Sequence, residues 1–278
     1  MSTLKPAQRA TSLAAVAIAG CGGLFFAAES GALVSWGLPF LKPWQTLTFA
    51  SWAINTAAIF AGGRLDTGTK GAETPDGSDH VALPVVRFFM PAGWAFAIWG
   101  PIIIGETAMA AYQALPLDSV TAAAGWLTRL SPWLASAFLL QTCWCFSFRE
   151  WARDAGLLWF PAVLLGGTAV SLGGAQHVLR GALASGSMSA LQYVLVHLPV
   201  SLHFGWVSCA ALVNANNYIA LLDKFSDNGK LRFSLASITA AVCLAVGVTG
   251  TTRDPVYAGV VAWALSAIAS EKGWGRMK

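Results

Sequence analysis

The chain has 278 residues, of which 56% are hydrophobic and 11% charged, with a formal net charge of +4. A soluble domain carries about 25% charged residues, so the composition excludes a water-soluble globular fold and indicates a polytopic membrane protein. The basic residues lie between apolar runs rather than along one face, which excludes a nucleic-acid-binding surface.

Eight apolar segments follow in chain order, at roughly 12–34, 44–62, 92–114, 131–148, 157–176, 190–222, 233–250 and 255–270. A helical span needs about 20 apolar residues. The pattern therefore predicts an all-α membrane helix bundle with seven to eight spans. The first segment follows a basic start, "MSTLKPAQRATSLAAVAIAG", and reads either as a retained helix or as a cleavable targeting sequence. Its apolar character continues past Glu29 to Trp36, which favours retention. The long 190–222 segment must tilt, protrude or kink at Pro199. The stretch 63–87 is rich in Gly, Asp and Thr and reads as the longest excursion into water.

Eight spans would put Lys5, Arg9, Arg64, Lys70, Arg87, Arg149, Arg153, Lys224, Lys230, Arg232, Lys272, Arg276 and Lys278 on one side, and only Lys42, Arg129, Arg180 and Arg253 on the other. The positive-inside rule then predicts both termini on the cytoplasm-equivalent side of a bacterial inner membrane or an organelle membrane.

No phosphate-binding loop, dinucleotide fingerprint or H-E-x-x-H motif is present. The five cysteines all lie in apolar runs. Cys143 and Cys145 are two apart, so on a helix they point to different faces, and all five read as packing residues. No metal site is expected.

Polar residues inside the spans carry the functional signal. Charged groups within membrane helices face the bundle interior or a water-filled cavity. In 92–114, helical spacing puts Trp99, Ile103, Glu106, Ala110 and Gln113 on one stripe, with Trp94 at the segment's start. In 131–148, Gln141 and Trp144 are three apart. Trp52, Asn55 and Thr56 cluster in 44–62. In 190–222, Pro199, His203, Trp206, Ala210, Val213 and Asn217 follow a 3–4 spacing, while His197 falls near the start and reads as interfacial. Each of four helices thus offers a Trp near an amide, carboxylate or imidazole. Aromatic walls with few polar anchors suit flat or rigid apolar ligands carrying a polar group.

Three stretches carry a family resemblance: "FMPAGWAFAIWGPIIIGE", "LLQTCWCFSF" and "HLPVSLHFGWVSCAALVNANNYIA". Their order and spacing resemble the second, third and fifth helices of the TspO/MBR family, the tryptophan-rich sensory proteins related to the mitochondrial translocator protein. The resemblance implies a TspO-like five-helix core over 44–222, preceded by an extra N-terminal segment, 1–43, and followed by a two-helix extension, 223–278. It implies pocket roles for Trp94, Trp99, Gln141, Trp144, Trp206 and Asn214. Glu106 and His203 join them from the stripe analysis. The implied ligands are porphyrins, including haem, other tetrapyrroles and sterols. The implied partners are membrane lipid, such a small apolar ligand, and a second copy or a larger membrane complex. Val213, Tyr218 and Lys224 also satisfy a loose cholesterol-contact pattern. The sequence departs from the family where Gln141 replaces the usual Asn and where 63–87 lacks the Trp-Tyr lid.

Two functions remain open: a sensor or carrier for tetrapyrroles, sterols or similar ligands, and a structural or assembly subunit of a larger membrane complex, for example a photosynthetic one. The porphyrin-modifying activity suggested for the family finds no supporting nucleophile–base pair here, so no enzymatic role is expected. The charge asymmetry is tested by cysteine labelling in a Cys-depleted background. Probes at Lys70 and Asp227 should react from the same, cytoplasm-equivalent face; reaction from opposite faces overturns the topology.

Overall fold

The structure, a computed structural model, describes residues 4–30, 41–66 and 88–271. Trp36, Lys70 and the basic cluster at 272–278 lie outside them. Every long element is a helix: α1 (Pro6–Glu29), α2 (Pro43–Phe60), α3 (Trp99–Ala114), the short α4 (Asp118–Ala122), α5 (Ala124–Ser147), the short α6 (Glu150–Asp154), α7 (Trp159–Ala184), the single turn α8 (Ala190–Gln192), α9 (Leu198–Ala220), α10 (Asp227–Thr252) and α11 (Pro255–Ser270). A 3-10 turn, Gly93–Ile98, leads into α3. This is the all-α membrane bundle expected from the composition.

Local chemistry explains the starts. Pro6, Pro43 and Pro255 each occupy a first helical turn, where a missing N–H is harmless. Gln8 and Gln45 reach back to accept from the Lys5 and Lys42 backbone N–H at 2.9 and 2.7 Å. Between α10 and α11, Arg253 adopts a left-handed conformation (φ 55°) and Asp254 caps the next helix through Val256 N–H.

Five helices form a closed ring, with α2 against α3, α3 against α9, α9 against α7, α7 against α5, and α5 back against α2. The α1 helix packs outside α5. On the far side α11 lies against α9, and α10 covers both. Among the described residues, α1, the 93–114 stretch, α7, the 190–220 stretch and α10 are long and apolar enough to cross a membrane. At 16 residues α11 is shorter. The two remaining ring helices fall outside that set, fewer than the seven to eight spans the hydropathy pattern predicts. Polar residues lower their hydropathy, and those residues point inward: Gln45, Thr48 and Asn55 on α2, and Ser131, Ser136, Gln141, Thr142 and Ser147 on α5, are all buried.

Three boundaries differ from the sequence expectation. The α5 helix starts at Ala124, not near 131, and runs through Pro132. Burial of Trp126, Leu127 and Leu130 outweighs the backbone hydrogen bond that Pro132 lacks. The α7 helix continues past 176 to Ala184 because Gln176, Leu179 and Ala182 face inward. In the long 190–220 stretch, the α-helical pattern is interrupted just upstream of Pro199, which has no N–H to give to it. Tyr193–His197 forms a π turn in which Leu198 N–H bonds the Tyr193 carbonyl, five residues back.

Close approach sets the helix spacing. A Cβ on Gly205 would fall 2.8 Å from the Val260 Cβ and 3.2 Å from the Tyr257 carbonyl oxygen, so α9 and α11 meet backbone to side chain. A Cβ on Gly105 would meet the Pro199 ring at 2.9 Å, joining α3 to α9. Gly205→Leu should therefore lower the melting temperature in detergent well below that of Ala262→Leu, whose side chain points outward. Equal melting of the two variants would refute this packing.

Candidate functional site: an aromatic cleft

At the end of the bundle where α2, α5, α9 and α11 finish and the 3-10 turn begins lies a cleft of about 820 Å³, its open mouth included. Backbone hydrogen bonds tie this end together. Leu65 N–H donates to the Phe148 carbonyl at 3.0 Å, and Ala92 N–H donates to the Ala267 carbonyl at 3.1 Å. The Trp263 indole N–H donates to the Ala95 carbonyl at 3.0 Å, clamping the 3-10 turn onto α11.

The walls are aromatic. Trp206 meets Phe96 edge-on (5.5 Å between centroids, 81°) and Trp99 at 6.4 Å and 81°. Trp144 stacks on Phe148 at 5.5 Å and 16°, and the Arg64 guanidinium sits 5.3 Å from the Trp144 ring centre. Arg64 also pairs with Asp66 at 2.9 Å. The Trp144 indole N–H donates to Asn214 Oδ1 at 3.3 Å, locking two walls in place. Aliphatic residues complete the lining, among them Ala264 and Ile268 of α11.

Of the eight residues singled out by sequence, Trp99, Trp144, Trp206 and Asn214 line this cleft. The other four stand elsewhere. Trp94 is 46% exposed on the outer surface, edge-on to Trp263 at 4.7 Å. Its place on the 3-10 turn, rather than on a continuous helix, rotates it away from Trp99. Glu106 and His203 are buried behind Trp99 and bond each other, with Nδ1 of the imidazole 2.6 Å from Oε1 of the carboxylate. Gln141 is buried between α2 and α5, where its Oε1 accepts from Asn55 Nδ2 at 3.4 Å.

Sequence reasoning did not assign Asp66, Phe96, Phe148, Ala264 or Ile268 to the site. Asn217 was visible on the α9 stripe but received no role, although it lines the cleft with Trp206, Ala210 and Val213. The α11 contribution had no local signal, because it depends on packing alone.

A second polar cluster lies near the opposite end. His197, read as interfacial from sequence, is 3% exposed: it stacks on Tyr193 at 4.7 Å, and α7 and α11 cover it through Gln176 and Asp254. Asp254 Oδ2 accepts from Gln176 Nε2 and Ser201 Oγ, each at 2.5 Å. Ser201 Oγ also lies 3.2 Å from His197 Nδ1. The residue types are those of a hydrolytic triad, but the arrangement differs from one. The carboxylate accepts from the serine rather than orienting the imidazole, and all four groups are buried. The cluster ties α7, α9 and the start of α11 together.

A family model described as TSPO-like protein matches residues 66–276. The chain belongs to the TSPO-like family. No curated protein and no solved structure matches it. The TSPO-like match runs from Asp66 through α11, so it spans nearly all of the cleft lining and leaves α1 and α2 outside. With the long apolar helices, it identifies an integral membrane protein.

The Glu106–His203 bond links α3 to α9 directly beneath the TSPO-like cleft. Leaving one buried partner unpaired costs about 1–3 kcal/mol. Glu106→Leu should therefore melt lower in detergent than the double variant Glu106→Leu/His203→Phe, in which neither polar partner remains. The reverse order would show that the pair does not stabilise the fold.

Proposed function

We propose that the chain is a membrane receptor or carrier that holds flat or rigid apolar ligands in the aromatic cleft, tetrapyrroles and sterols being the classes that the TspO resemblance implies. The carrying observation is the convergence of Trp99, Trp144, Trp206, Phe96 and Phe148 on one ligand-sized space. Binding sites for small molecules have this make-up: concave, mostly apolar, with a few placed polar groups. The reading is one of binding without turnover.

The cleft end also carries Arg64, Arg149, Arg153, Lys224, Lys230 and Arg232. Under the positive-inside rule the cleft then opens toward the cytoplasm-equivalent side, so ligand would be received from, or presented to, that compartment.

Tryptophan quenching by titrated protoporphyrin IX, haem or a sterol tests the reading. Losing one stacking partner costs roughly 0.5–1.5 kcal/mol, a factor of about 2–13 in affinity. Trp206→Leu should weaken binding by that factor, and the surface variant Trp159→Leu should not. Without saturable binding of any tetrapyrrole or sterol by the parent, the chain is better read as a structural or assembly subunit.

A further inference from the structure

Three amide or carboxylate side chains line the cleft, Asp66, Asn214 and Asn217, and two of them are committed. Asn214 accepts from the Trp144 indole and donates from Nδ2 to the Ala210 carbonyl at 3.0 Å. Both Asp66 oxygens accept from Arg64, at 2.9 and 3.3 Å. Asn217 differs. It lines the cleft, it is 4% exposed, and its Oδ1 has no hydrogen-bond partner among the described residues. Buried polar atoms in folded proteins are nearly always paired; of the residues with such an unpaired atom among those described, Asn217 alone lines the cleft, and a small turn of its amide would bring Oδ1, now shut off from solvent, to a bound ligand.

Its position gives the bond a direction. Trp206, Ala210, Val213 and Asn217 lie at i, i+4, i+7 and i+11, one stripe along α9. Asn217 therefore stands about 16 Å from Trp206, at the outer end of an apolar trough and less than one turn from the end of α9. A ligand following this stripe lays its apolar body against Trp99 and Trp206 and brings its polar head to Asn217. The uncommitted group there is a neutral amide, which can both donate and accept. A hydroxyl, amide or N–H head is satisfied by it. A carboxylate needs a cation, and the Arg64 guanidinium beside the cleft is already engaged by Asp66.

Resting on the binding function proposed above, we propose that Asn217 is the specificity-determining anchor of the cleft, selecting rigid apolar ligands with one neutral hydrogen-bonding head over ligands with an anionic one. Three fluorescent probes with the same flat body separate the cases: 1-pyrenemethanol, 1-methylpyrene and 1-pyrenecarboxylate. Each is titrated by tryptophan-to-pyrene energy transfer into the full chain in one detergent. The quantity read is the ratio of the pyrenemethanol and methylpyrene affinities, compared between parent and variant so that partition into micelles cancels.

The ratio should fall about 2–13-fold in Asn217→Leu, the worth of one neutral hydrogen bond. Methylpyrene should bind that variant as it binds the parent, which also certifies that the cleft is folded. Asn217→Ala removes the amide without adding bulk and should lower the ratio equally if the leucine variant does not fold. The parent should bind pyrenecarboxylate more weakly than pyrenemethanol. An unchanged ratio in the folded variant, or a parent that prefers the carboxylate, overturns the anchor while the binding function stands. A parent that binds none of the probes saturably overturns both.

Discussion

The close approach of α9 and α11 at Gly205 is the constraint on which the site depends. With no side chain there, Val260 and the Tyr257 carbonyl lie against the α9 backbone. That distance brings Ala264 and Ile268 to the cleft, and it lets Trp263 and Ala267 hold the 3-10 turn through its Ala95 carbonyl and Ala92 N–H. The turn in turn places Phe96 and Trp99 against Trp206. A wider spacing would remove one wall and release another. Small residues at such crossings are the usual means by which membrane helices pack, since lipid offers no hydrophobic drive for helices to associate.

Hydrogen bonds across helices complete what packing begins. Glu106–His203 joins α3 to α9, Asn55–Gln141 joins α2 to α5, and Trp144–Asn214 joins α5 to α9. Asn216 bonds Ser234 and Ser237, each at 2.8 Å, and so fixes α10 on α9. Each bond lies between neighbours or across the ring, so the polar residues specify which helices meet. The same residues lower the hydropathy of α2 and α5.

Much of this was legible in the sequence, because helical phase survives into the fold. The α9 stripe through Trp206, Ala210 and Val213 faces the cleft, and the family assignment rested on motifs that the family match spans. Where the structure places residues differently, each case has its own physical reason. The family resemblance implies a pocket role for Trp94, but the chain there is a 3-10 turn that leaves its ring on the outer surface against Trp263. His197 was placed by its distance from a segment end, although a π turn and the Asp254 cap bury it. Helical phase points both His203 and Glu106 inward, and in the structure they bond each other. Periodicity reports which side of a helix looks inward; it does not report which inward groups find partners first.

The use of α11 as a cleft wall has a consequence for biogenesis. Helices emerge in chain order, and domains form from the N-terminus as synthesis proceeds. The five ring helices are all complete by Ala220, but the cleft lacks Ala264 and Ile268 until α11 has followed. A nascent chain paused after α9 therefore holds its aromatic residues in an unfinished trough open on one flank. On the binding function proposed above, ligand capture waits until the hairpin of α10 and α11 docks and closes that flank.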